Sequence, residues 1–140
     1  MHPRDIDVSY SPIISPKFKW NGRDPGTGLD CYGVLIWYYR QLGIELDDPI
    51  DQYGEGWKAR GEHPIRDRFS APWSVAPMPW RKHDVLLLMD AGDTEPAHLG
   101  VLVFGNQKVL HARPDHGVAC WPFSSLKSRI WAVARHEALA

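Results

Sequence analysis

Gly28-Leu29-Asp30-Cys31-Tyr32-Gly33-Val34-Leu35-Ile36-Trp37-Tyr38-Tyr39-Arg40-Gln41-Leu42-Gly43 reads as one amphipathic helix with both ends marked. Asp30 is a good N-cap residue, because its carboxylate can accept from backbone N–H groups one turn on. Gly43 supplies the C-terminal stop. Between them Val34, Leu35, Tyr38 and Leu42 recur at helical spacing on the face that carries Cys31, so the helix spans about residues 31–42 and buries its cysteine side. Cys31 thus sits where unpartnered N–H groups gather partial positive charge, which favours a thiolate and makes it a candidate nucleophile.

The rest of the chain supplies the layer on which such a helix can pack. Three short apolar runs, Asp84 to Met89, His98 to Phe104 and Val109 to Ala112, are followed by a fourth strand pattern from Arg129 to His136. Gly105-Asn106 is a hairpin turn signal between the second and third runs. A helix followed by an antiparallel meander is an α+β layout. Residues 1–29 are broken by four prolines and three glycines and are expected to form an irregular arm. Residues 45–82 form a long polar insertion, with a short helix expected at about residues 50–60.

With 140 residues, of which 44% are hydrophobic, the chain fits one domain, residues 1–140. The 16 basic and 17 acidic residues nearly cancel, so no global field favours nucleic acid or an anionic membrane. No stretch is long and apolar enough for a membrane span or a secretory leader, so synthesis in the cytoplasm without a signal peptide is expected. The two cysteines, Cys31 and Cys120, read as free thiols rather than a disulfide framework.

A cysteine nucleophile needs a base, and the base needs a polar group to orient it. A turn about Gly105-Asn106 pairs positions summing to about 211, which makes His98 and His111 diagonal neighbours on adjacent strands. His2, His63, His83, His116 and His136 are read as structural. His98, His111, His116 and the cysteines are metal-ligand types, but no tight Cys-x-x-Cys or His-x-x-x-His pair occurs, so neither a metal nor a cofactor is expected.

Phe18-Lys19-Trp20-Asn21-Gly22, Asp30-Cys31-Tyr32-Gly33, His98-Leu99-Gly100-Val101 and Leu110-His111-Ala112 occur in an order that resembles the NlpC/P60 family of cell-wall cysteine peptidases, over about residues 16–136. The resemblance implies a papain-like α+β fold and hydrolysis of amide bonds in peptidoglycan stem peptides, commonly the bond between D-γ-glutamyl and a diamino acid. It implies Cys31 as nucleophile, His98 as general base and His111 as the residue that orients His98, with the Cys31 N–H as an oxyanion donor. Phe18, Trp20 and Tyr32 would line the oxyanion and substrate side.

Three departures stand out. Phe18 lacks the hydroxyl of the tyrosine common there in the family, leaving Tyr10 or Trp20 to replace it. Tyr32 takes the place of a serine and narrows the cleft, and His83-Asp84 replaces a Gly-Asp that opens the first strand. Asp-Cys-Tyr-Gly resembles peptidases of phage tails, so the expected partners are a peptidoglycan peptide and tail proteins, with the virion or cell wall as destination. The alternatives on this fold are an inactive assembly protein of the tail, an amidase or acyltransferase, and a toxic effector.

Overall fold

The computed structural model of the chain describes residues 1–48, 65, 69–103 and 107–140. Helix α1 runs from Cys31 to Gln41, with Asp30 as its N-cap and Leu42 closing it. Gly43 follows in the left-handed region at φ +79°, the conformation that ends the helix and that glycine adopts without a Cβ penalty. Burial exceeds the expected stripe, since Tyr32, Ile36 and Tyr39 are buried along with Val34, Leu35, Tyr38 and Leu42. Only Arg40 and Gln41 are exposed along α1. Two of its tyrosines spend their hydroxyls on one residue: Tyr39 donates to the carbonyl of His83 at 2.6 Å, and Tyr38 Oη lies 2.6 Å from His83 Nδ1.

The helix packs on a six-stranded antiparallel sheet. A two-residue ribbon, β1 (Arg23–Asp24) with β2 (Gly28–Leu29), precedes α1. The sheet strands are β3 (Trp73–Val75), β4 (Val85–Leu88), β5 (His98–Val103), β6 (Lys108–Arg113), β7 (Gly117–Pro122) and β8 (Ile130–His136), in the order β3-β8-β4-β5-β6-β7. Gly100 pairs with His111 and Val101 with Leu110, so the expected sum of 211 holds. The expected turn at Gly105-Asn106 and the expected helix at residues 50–60 lie outside the described residues.

Strand alternation divides the sheet into two faces. Val85, Leu87, Leu99, Val101, Val103, Leu110 and Ala112 join the helix in the main core, while Leu86, Leu88, Leu102, Val109 and Val133 form a second apolar cluster on the other face. Two strands of the six-stranded sheet were not read from sequence: β3 lies inside the segment taken as an insertion, and β7 lies between the two expected C-terminal strands.

The N-terminal arm is largely irregular, as expected, with 3-10 turns at Pro3–Asp5 and Ser11–Ile13. It is joined to the sheet edge by a bridge between Ser15 and Val118. Its last part is more ordered than expected, because the β1–β2 ribbon folds it back against α1. There Gly33 is required by a close approach: a Cβ at that position would overlap the carbonyl oxygen of Gly22.

His83 holds a left-handed backbone, φ +78°, a conformation costly for a residue with a Cβ. The two tyrosine contacts from α1 and the bond from its N–H to the Leu102 carbonyl at 2.7 Å hold it there. Its neighbour Asp84 is buried and accepts from Arg135 Nε at 2.8 Å and Nη2 at 2.7 Å, a bidentate pair that pins β8 beside β4.

Candidate active site

Asp30 fixes the start of α1 in three directions. It is fully buried and accepts from the N–H of Gly33 at 2.8 Å, from the N–H of Asn21 at 2.9 Å and from Arg23 Nη1 at 2.9 Å. Arg23 also contacts Asp48 and the Gly22 carbonyl, each at 2.9 Å. The nucleophile candidate therefore follows a residue that ties the arm, the ribbon and the helix together.

Cys31 is 7% exposed, and burial is the main reason its thiol is pushed up to about 12, with the Asp30 charge adding to it. The N–H groups of Leu99 and Tyr32, which point at the sulfur, and the Arg23 charge oppose this without overcoming it. The expectation that a helix end lowers this thiol is corrected: desolvation outweighs the dipole here. The same contacts put Cys31 against the first residues of β5, one position from His98.

His98 opens β5 on the sheet face it shares with Gly100, His111 and Arg113. The diagonal placement of His98 and His111 is as expected, but among the described residues the His98 ring is hydrogen-bonded by another residue. His98 Nε2 lies 2.8 Å from Asp90 Oδ1. Asp90 follows β4, whose last residue Leu88 pairs with His98. Arg113 Nη1 approaches the same carboxylate oxygen at 3.5 Å.

His111 instead packs its ring against His116 and Trp121, with centroids 5.1 and 4.6 Å away, and its Nε2 is buried without a hydrogen-bond partner. Burial first, then the neighbouring charges of His116, Arg113 and His98, bring His111 down to about 4. The expectation is that His111 orients His98, yet the hydrogen bond found on the His98 ring goes to Asp90, and His111 Nε2 makes none. Asp90 was missed because Asp90-Ala91-Gly92-Asp93 reads as an ordinary turn.

Phe18 stacks edge-on against Trp20 at 5.1 Å, both half-buried. Tyr32 is buried, with the Arg23 guanidinium 5.7 Å from its ring centre and its hydroxyl donating to the Asp47 carbonyl at 2.8 Å. It walls a pocket of about 170 Å³ shared with Asp47, Pro72, Trp73 and His136. Tyr10 is no substitute for the missing phenol. Its hydroxyl accepts from Cys120 Sγ at 3.7 Å, and it lines a cleft of about 590 Å³ with Tyr38 and His83. Tyr38 is two helical turns from Cys31, roughly 10 Å along the axis. Cys31 and Cys120 are both free, and no group of three or more metal-ligating side chains occurs among the described residues. No helix among them is long and apolar enough to cross a membrane.

The sequence profile of the NlpC/P60 family matches residues 15–139, nearly the whole chain. This protein belongs to the NlpC/P60 family. No curated protein matches it in sequence. Among solved structures, the NlpC/P60 domain of the peptidoglycan hydrolase SagA superposes with a TM-score of 0.53 at 20% identity, covering 89% of each chain. A lipoprotein-like protein of the NLP/P60 family from Staphylococcus aureus subsp. aureus Mu50 superposes with a TM-score of 0.54 at 15% identity. That match covers 93% of this chain but 43% of the longer one. The shared fold is the papain-like arrangement of a helix on an antiparallel sheet. Within the NlpC/P60 pattern, Asp30 is a buried cap and Gly33 a point of close approach, which gives the Asp-Cys-x-Gly spacing a packing reason independent of catalysis.

Proposed function

We propose that this NlpC/P60 protein is a cysteine endopeptidase that cleaves peptidoglycan stem peptides, with the bond between D-γ-glutamyl and a diamino acid as its target. The observation that carries the reading is the thiol of Cys31, set at a helix start against the strand that begins with His98. The hydrolase named for the SagA domain supports the substrate class.

In the resting site the thiol is protonated, so attack and deprotonation are coupled. His98, held through Nε2, takes the thiol proton at Nδ1 as sulfur adds to the carbonyl carbon. The Cys31 N–H, which has no intrahelical partner at this position, donates to the oxyanion. The imidazolium then protonates the leaving amine, and water hydrolyses the thioester with the same base. Tyr32, the residue after the nucleophile, walls a pocket with Asp47, Pro72, Trp73 and His136.

Purified muropeptides analysed by mass spectrometry test this reading. The wild-type chain is expected to release products cut at one stem-peptide bond, and Cys31→Ala is expected to release none while keeping its circular dichroism spectrum. Cleavage by Cys31→Ala at the wild-type rate would overturn it. The rival is a fold kept for assembly without catalysis, favoured by the upward-shifted thiol and the missing hydroxyl at Phe18; an inactive wild type would support it. Carriage on a phage tail or similar particle rests on the Asp30-Cys31-Tyr32-Gly33 variant, and its test is whether the protein occurs in purified particles.

A further inference from the structure

We propose that Asp90, and not His111, is the positioning residue that holds His98 in its working orientation. This rests on the reading of Cys31 and His98 as nucleophile and base. A carboxylate accepting from Nε2–H fixes one tautomer, with the proton on Nε2 and the lone pair on Nδ1, the atom that the proposed mechanism uses as base. At 2.8 Å, the contact between His98 Nε2 and Asp90 Oδ1 is a charge-assisted bond once the ring takes a proton, so it strengthens as the imidazolium forms.

The fold supplies Asp90 through a short hairpin. Leu88 pairs with His98, the N–H of Ala97 donates to the Leu88 carbonyl at 2.8 Å, and the N–H of Met89 donates to the Arg129 carbonyl at 2.8 Å. Asp90 therefore leaves a strand end fixed on both sides. Arg113 Nη1, 3.5 Å from the same oxygen, holds the carboxylate from the neighbouring strand β6. His111 is badly placed for the part, because its ring is packed between His116 and Trp121 and its buried Nε2 bonds to nothing. It serves as a neutral wall beside the base. Among the described residues, the charged and titratable groups around His98 include Asp90 and Arg113, with His111, His116 and Asp115 next to them.

The test compares Asp90→Asn, Asp90→Glu and His111→Gln in muropeptide cleavage across pH, alongside nitrogen NMR of imidazole-labelled protein. Asp90→Asn is expected to lower kcat by on the order of 10²-fold or more. The acid limb of its pH profile should move to lower pH, because the imidazolium has lost its carboxylate. Asp90→Glu is expected to recover part of the rate, and His111→Gln to lose less than about fivefold.

The NMR arm needs no activity. His98 is expected as the Nε2–H tautomer in the wild type, titrating at lower pH in Asp90→Asn and unchanged in His111→Gln. A larger loss in His111→Gln than in Asp90→Asn, or a His98 tautomer and titration indifferent to Asp90, would overturn the assignment. An inactive wild type whose His98 still responds to Asp90 would overturn the peptidase reading alone.

Discussion

Removing the Asp30 carboxylate should damage the protein more than any exposed charge change, because one side chain serves three donors from three pieces of structure. In Asp30→Ala the N-cap bond to Gly33 is lost, which costs about 1 kcal/mol. The N–H of Asn21 loses its carboxylate acceptor, costing roughly another 1–3 kcal/mol if the group stays buried. Arg23 is not left wholly uncompensated, since it keeps Asp48 and the Gly22 carbonyl, and this moderates the 3–5 kcal/mol typical of breaking a buried pair. The total comes to about 3–4 kcal/mol, or a fall in Tm of about 10–15 °C for a domain of this size. Urea and thermal unfolding followed by circular dichroism would measure it. Asp30→Asn, which keeps one acceptor oxygen, should fall between wild type and alanine. A loss under about 1 kcal/mol in Asp30→Ala would refute the view that this residue ties arm, ribbon and helix together.

Stability should fall on acidification through His111. Its folded form titrates at about 4, below the ordinary value of about 6.5, so the unfolded chain binds the proton first. The stabilisation is complete above about pH 6.5 and drains away down to about pH 4, roughly 3 kcal/mol in all, and His111→Gln should flatten that part of a urea-midpoint profile. A profile with the same slope in both proteins would show that His111 titrates normally. Alkylation of Cys31 by iodoacetamide, located by peptide mapping apart from Cys120, should rise with pH without a plateau below about pH 9. Asp30→Asn should shift that curve to lower pH, since the neighbouring negative charge is one of the two causes raising the thiol. A plateau at neutral pH in the wild type would contradict a buried, protonated resting thiol.

Much of the fold can be read along the chain because local signals and long-range needs coincide. Asp30 and Gly43 mark α1 by side-chain chemistry and backbone conformation, and both act in the structure as those properties require. Leu99, Val101 and Val103 alternate with His98 and Gly100, so the β5–β6 register follows once the turn is placed. Strand β7 escapes because its outer half is exposed and ends in Pro122, and β3 because only three residues lie in it between Pro72 and Pro77.

The site divides in the same way. Cys31 and His98 are legible as candidates from residue type and position. Asp90 does not, because a turn aspartate becomes an orienting group only when the β4–β5 hairpin folds it back over His98. Nor is the state of the thiol legible, since desolvation is set by everything packed around α1 rather than by the six residues at its start. His83 shows a further limit. Its place in the NlpC/P60 pattern is held by glycine, and its positive φ explains that preference, yet the tyrosines that hold a histidine there come from α1.

The ties around Asp30 reach Asn21, Arg23 and Gly33, all within nine residues, and the Asp90–His98 contact spans eight. Each half of the site is therefore built largely on local ties whose closure costs little chain entropy, whereas the meeting of Cys31 with the start of β5 is distant in sequence. A chain arranged in this way can shape the proposed nucleophile and the proposed base separately and bring the two elements together by packing the helix on the sheet. The proposed pair then depends on the core that closes around it.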